Sequence, residues 1–174
     1  MMRVFITILC SLLAVCSVSA RDSRHEGTDG QAAIYRLSPF ERAVRCTKYF
    51  EGWHSEKHHP YVGYGHKVLP GENLSMDMTE EEADRLLRSD LMKLCKMFSG
   101  YGQDSLLLAT LAYNVGAYRL LGYGGRPKSR LVQMLDEGDR NIYREYITFR
   151  KYKGKVIPSL ELRRRMEFEL LYIP

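Results

Sequence analysis

The chain has 174 residues, 26 of them Lys or Arg against 21 Asp or Glu, giving a formal charge of +5 at neutral pH. With 45% hydrophobic and 27% charged residues it has the make-up of one compact domain able to bury a core without disulfide staples. An intrinsically disordered chain and a small disulfide-framework protein are both excluded. The positive charge is modest and spread along the chain, densest at Arg163-Arg164-Arg165; it suits an anionic surface but names no partner.

Arg3 precedes an apolar run from Val4 to Val15, broken only by Thr7, Cys10 and Ser11, and Val18-Ser19-Ala20 supplies small residues for a peptidase. Residues 1–20 read as an export signal cleaved after Ala20, the run being too short for a comfortable membrane span. A lipid anchor on Cys16 is disfavoured by Val15, which sits where a small residue is wanted. An exported protein, periplasmic or secreted and without stable membrane insertion after cleavage, follows; export argues against a nucleic-acid partner. Cys46 and Cys95 remain after cleavage. They are open to two readings, a disulfide in an oxidising compartment or two buried thiols at apolar helical positions.

Residues 21–37 are expected to form a flexible leader, polar from Arg21 to Gln31, with the folded domain spanning 38–174. Ser38-Pro39-Phe40-Glu41 has the form of a helix start, Ser38 as N-cap, Pro39 in the first turn and Glu41 completing a capping box. Phe40, Ala43, Val44, Thr47 and Glu51 recur on one helical face, and Gly52 marks the stop. Glu51 lies about three turns after Phe40, so its carboxylate points with the apolar stripe, at the helix end where the dipole gives an anion no help. Both effects favour its neutral, proton-carrying form, the state a general acid for glycosidic cleavage needs; a boundary Glu turned out to water is the bland alternative. From Gly52 to Pro70 glycines, prolines and aromatics replace the helical period and predict a small hairpin or irregular sheet. A second capping box at Thr79-Glu80-Glu81-Glu82 opens a helix with Ala83, Leu86, Leu87, Leu91, Leu94 and Phe98 on one face. Ser105 to Val115 is apolar nearly all round and belongs in the centre of a bundle. Helical patterns follow at Ser129–Glu137, Arg140–Arg150 and Ser159–Leu171.

Phe50-Glu51-Gly52-Trp53 followed by Tyr61-Val62-Gly63-Tyr64-Gly65-His66 resembles the opening of the phage-type lysozymes and endolysins (glycoside hydrolase family 24). Thr79–Asp84 with Leu87 and Asp90-Leu91, Ala109–Gly116, Leu131–Asp139 and Leu162–Glu169 are similar to the family's later helices, in the family's order. The resemblance implies an α+β, lysozyme-like fold, a small N-terminal hairpin region packed against a mainly helical bundle, with an active cleft between them. It further implies that Glu51 is the general acid of a muramidase acting on the β-1,4 bond between N-acetylmuramic acid and N-acetylglucosamine in peptidoglycan, without a cofactor. An exported monomer of this kind fits a cell remodelling its own wall. Analogy associates it with an envelope-spanning secretion or conjugation machine.

The sequence departs from the family at one functional point. Where the family places an aspartate after the catalytic Glu, this chain has Pro60, and the position of the family's threonine holds Tyr61; the hairpin is shorter. An inverting hydrolase needs a second group roughly 6.5–9.5 Å from the acid, and the substitutes in the hairpin are Glu56, His58, His59 and Tyr61. If none serves, Glu51 alone supports lytic transglycosylase chemistry, in which the muramic C6 hydroxyl attacks. A non-catalytic peptidoglycan-binding protein is the third reading. His54, His58, His59 and His66 cluster in sequence, yet the stretch lacks a helical His-Glu-x-x-His motif, and no metal is expected. Asn114 is polar among apolar neighbours, either bonding a sugar N-acetyl group, as its matching position in the family suggests, or capping its helix. The arginines at 163–165 read as a solvated helix face or as a site for wall carboxylates.

Overall fold

The computed structural model describes residues 33–75 and 77–174. The export signal and residues 21–32 of the expected leader lie outside the described residues. The end of that leader does not stand apart from the domain. Ala33–Tyr35 makes a helical turn, Ile34 is fully buried and Leu37 packs against the same core. Two apolar side chains so close to the domain gain more from burial than from solvent.

Helix α1 (Pro39–Glu51) starts as its residues dictate, with the Ser38 hydroxyl accepting from the Glu41 backbone N–H at 3.2 Å and Pro39 in the first turn. The expected capping box stays half-made. The Glu41 carboxylate turns to Arg88, accepting from both Nη1 and Nη2, because a bidentate pair with a guanidinium is stronger than a single bond to a backbone N–H. A Glu56–His58 3-10 turn leads into strands β1 (Tyr61–Val62) and β2 (His66–Lys67), antiparallel with Val62 opposite His66. Gly63, at φ +55°, closes this hairpin against helix α2 (Glu80–Met97), where a Cβ would stand 2.8 Å from that of Ala83. Only glycine fits both the backbone angle and the gap. Helix α2 opens with the predicted capping box, Thr79 Oγ1 accepting from Glu82 N–H and Glu82 Oε2 from Thr79 N–H at 2.7 Å.

Helix α3 (Ser105–Val115) is the hub, with Leu107 to Ala112 all buried. It packs against α1, α2 and the C-terminal helix, which is why it needs apolar residues on every side. Short helices α4 (Ala117–Leu121), α5 (Arg130–Asp136) and α6 (Tyr143–Ile147) follow. The helix expected over Arg140–Arg150 is thus much shorter, giving way to a 3-10 turn at Thr148–Arg150. A second hairpin, β3 (Lys151–Tyr152) with β4 (Lys155–Val156), was not anticipated; its turn at Lys153-Gly154 takes two positive φ angles. Helix α7 (Pro158–Leu171) closes the bundle. The expected α+β architecture is the one observed: a helical bundle with two small antiparallel sheets. Cys46 and Cys95 are free thiols rather than a disulfide. Among the described residues no helix is long and apolar enough to cross a membrane.

Candidate active site

A cleft of about 260 Å³ lies between the first hairpin and the bundle, lined by Glu51, His54, Tyr61, Gly65, Tyr113 and Asn114. Each element delivers a side chain for a local reason. Helix α1 ends at Glu51 because Gly52, at φ 65°, turns the chain out while its N–H still caps Lys48. The hairpin lies across the end of α1. Gly65 presents backbone so closely that a Cβ there would be 3.3 Å from Glu51 Oε2. Tyr113 donates its hydroxyl hydrogen to the Tyr64 carbonyl at 2.9 Å, fastening the hairpin to α3. Asn114, one residue on, ends up on the cleft wall, and Gly116 supplies the cap that Asn114 was an alternative for.

Behind Glu51 and Asn114 lies a buried charge network. Arg163 and Arg164 of α7, read from sequence as a solvated run, are 2% and 0% exposed. Arg163 donates through Nη1 to Glu51 Oε1 at 2.6 Å and through Nε to Glu167 Oε1 at 2.8 Å. Arg164 Nη1 lies 3.0 Å from Glu167 Oε2, which also accepts from the Tyr146 hydroxyl at 2.9 Å. Arg164 Nη2 donates to Asn114 Oδ1 at 2.9 Å, which orients the amide and leaves its NH₂ group for the cleft. Burial works against the charge on Arg163, but Glu167 and Glu51 outweigh it and hold the guanidinium protonated. Two cations thus face two carboxylates, the condition under which buried charge is tolerated. Only Arg165 points outward, to Glu161 at 2.6 Å. The sequence pattern named no partner for Glu51; in the fold its Oε1 accepts from the buried Arg163, and Oε2 lies on the hairpin side.

Of the substitutes for the second group, Tyr61 lines the cleft, whereas Glu56, His58 and His59 do not. These three are exposed, and the His58 Nδ1 accepts from the Ser55 N–H at 3.0 Å, closing the 3-10 turn. His54, absent from that set of substitutes, does line the cleft. Its signal was a β-bridge to Gly63, with the His54 N–H donating to the Gly63 carbonyl at 2.8 Å. No local pattern reveals such a bridge. Among the described residues no three His, Cys, Asp or Glu side chains converge as metal ligands.

His66 leaves the histidine cluster altogether. Its Nδ1 faces Asp90 Oδ2 at 2.5 Å and its Nε2 faces Glu72 Oε2 at 2.9 Å, tying the hairpin and the following loop to α2. Two carboxylate partners require hydrogen on both nitrogens. Burial opposes the imidazolium, yet Glu72 and Asp90 outweigh it and raise the His66 pKa above its ordinary value. A group raised on folding contributes stability that is complete below its unfolded pKa and vanishes as pH rises through the folded one. Wild type should therefore exceed His66→Gln in urea-unfolding stability by more at about pH 5 than at about pH 9. An advantage that is flat or grows with pH would contradict the ion-pair clamp.

Residues 45–167 match the family model described as phage lysozyme. The chain belongs to the phage lysozyme family. A comparison with curated proteins finds no match. Family membership covers both lobes of the cleft, from α1 through the hairpin to the Glu167 end of the buried network. It gives the chain a lysozyme-like function, glycoside-hydrolase chemistry directed at peptidoglycan.

Proposed function

We propose that the protein is a muramidase that hydrolyses the β-1,4 bond between N-acetylmuramic acid and N-acetylglucosamine, with Glu51 as general acid. The observation that carries this reading is that, among the described residues, Glu51 is the one carboxylate lining the cleft, anchored through Oε1 so that Oε2 remains for the substrate. In this reading Glu51 Oε2 donates its proton to the leaving O4, creating a carboxylate whose charge Arg163 already faces. The Asn114 amide, its Oδ1 held by Arg164, donates to a sugar acetamido carbonyl. The test is digestion of purified sacculi with mass spectrometry of the soluble muropeptides. Reducing muramic acid ends are expected; no release under any condition would leave a wall-binding protein instead.

A lytic transglycosylase is the second reading, favoured because no second carboxylate lines the cleft among the described residues. It yields 1,6-anhydromuramic ends, lighter by one water than the hydrolytic products. Export also belongs to the proposal. Full-length protein made in a Gram-negative host should appear in the periplasm starting at Arg21, and N-terminal sequencing that finds Met1 would overturn it.

A further inference from the structure

We propose that His54 is the base that activates water for this enzyme, standing in for the carboxylate its hairpin has lost; the inference rests on the muramidase reading above. Hydrolysis needs a proton acceptor in the cleft besides Glu51. The other lining side chains with ionisable or polar heads are Tyr61, Tyr113 and Asn114. An amide is no base, a phenol carries its proton at neutral pH, and the Tyr113 hydroxyl is committed to the Tyr64 carbonyl, with burial pushing its pKa further up. Among the described residues lining the cleft, the His54 imidazole is the one group besides the Glu51 carboxylate whose chemistry includes general-base catalysis.

Its placement is fixed rather than incidental. The backbone bridge sets His54 opposite Gly63, two residues before Gly65, the glycine whose backbone abuts Glu51, so acid and imidazole border one stretch of hairpin. The ring is held by His58, whose centroid is 5.1 Å away, and by Tyr61 at 6.0 Å. Nδ1 is buried without a hydrogen-bond partner, which leaves Nε2 as the nitrogen on the open side. In the step proposed, Nε2 takes a proton from a water whose oxygen forms the new bond to the muramic C1. The C1–O4 bond breaks as Glu51 Oε2 gives its proton to O4. One water is consumed, the products are a reducing muramic end and a free 4-hydroxyl, and solvent returns the proton from His54 to Glu51.

The experiment compares full-length wild type, Glu51→Gln, His54→Ala and His54→Gln on purified sacculi, reading reducing and anhydro muropeptides by mass spectrometry. Both His54 variants should release reducing ends at least about a hundredfold more slowly, with unchanged unfolding midpoints. Free imidazole should restore part of the His54→Ala rate, which a merely structural role would not allow. The wild-type kcat/KM should show an acid limb that disappears in His54→Gln. A His54→Gln rate near that of wild type, beside an inactive Glu51→Gln, overturns this inference and leaves the muramidase standing. A wild-type profile that lacks the acid limb also overturns the inference alone, even if the variants misfold, whereas a wild type that produces mainly anhydro ends overturns both the inference and the hydrolytic reading in favour of the transglycosylase. A wild type that releases nothing, or a fully active Glu51→Gln, removes the muramidase reading and the inference with it.

Discussion

Glu51→Gln should lower the rate of sacculus digestion at least about a hundredfold, the scale on which loss of a general acid is felt. The amide has the size of the carboxyl and its oxygen can still accept from Arg163, so the cleft keeps its shape while the transferable proton is gone. The variant also removes one of two negative charges facing Arg163 and Arg164. A loss of about 1–2 kcal/mol of stability is expected, the value of a charge-assisted bond replaced by a neutral one. Glu56→Gln is the matched control, since Glu56 is exposed on the 3-10 turn and does not line the cleft; its activity should stay near wild type. Rates from sacculi and urea melts of the same preparations separate the two effects. Equal activity in Glu51→Gln and wild type would remove Glu51 from the chemistry.

Glu167→Ala should be among the most destabilising single changes, at about 3–5 kcal/mol in urea unfolding, because it leaves buried charge uncompensated. Glu167 is fully buried and, among the described residues, is the only acid that touches both Arg163 and Arg164; its removal also strands the buried Tyr146 hydroxyl. Arg163 would then keep Glu51 as its partner while Arg164 would lose its carboxylate, and Asn114 would lose the fixed Arg164 that orients it. Activity should therefore fall along with stability. Arg165→Ala is the contrasting variant on the same helix, since Arg165 makes its pair with Glu161 at the surface, where removal costs at most about 1 kcal/mol. A Glu167→Ala protein as stable as Arg165→Ala would mean that the network is not the strut described above.

Much of this fold was legible because its signals are short. Ser38-Pro39 starts α1 and Gly52 ends it; Thr79 and Glu82 close a capping box across three residues; the unbroken apolar run of α3 leaves it no place but the centre. Each depends on residues within one or two turns, so the chain alone determined helix ends, the hairpin, and that Glu51 points inward. The partners of that carboxylate were not legible in the same way. Arg163 meets Glu51 across 112 positions, and an arginine run on a helix looks the same whether water or a buried glutamate receives it. The surroundings of α7 decide, since Glu167, Tyr146 and Glu51 supply the acceptors that make burial of two cations affordable. The tertiary structure likewise drew Ile34 into the core and turned Glu41 from its own helix to Arg88. In the hairpin it set His54 rather than Glu56, His58 or His59 in the cleft, because a β-bridge to Gly63 fixes which side chain faces inward and no local periodicity encodes that pairing.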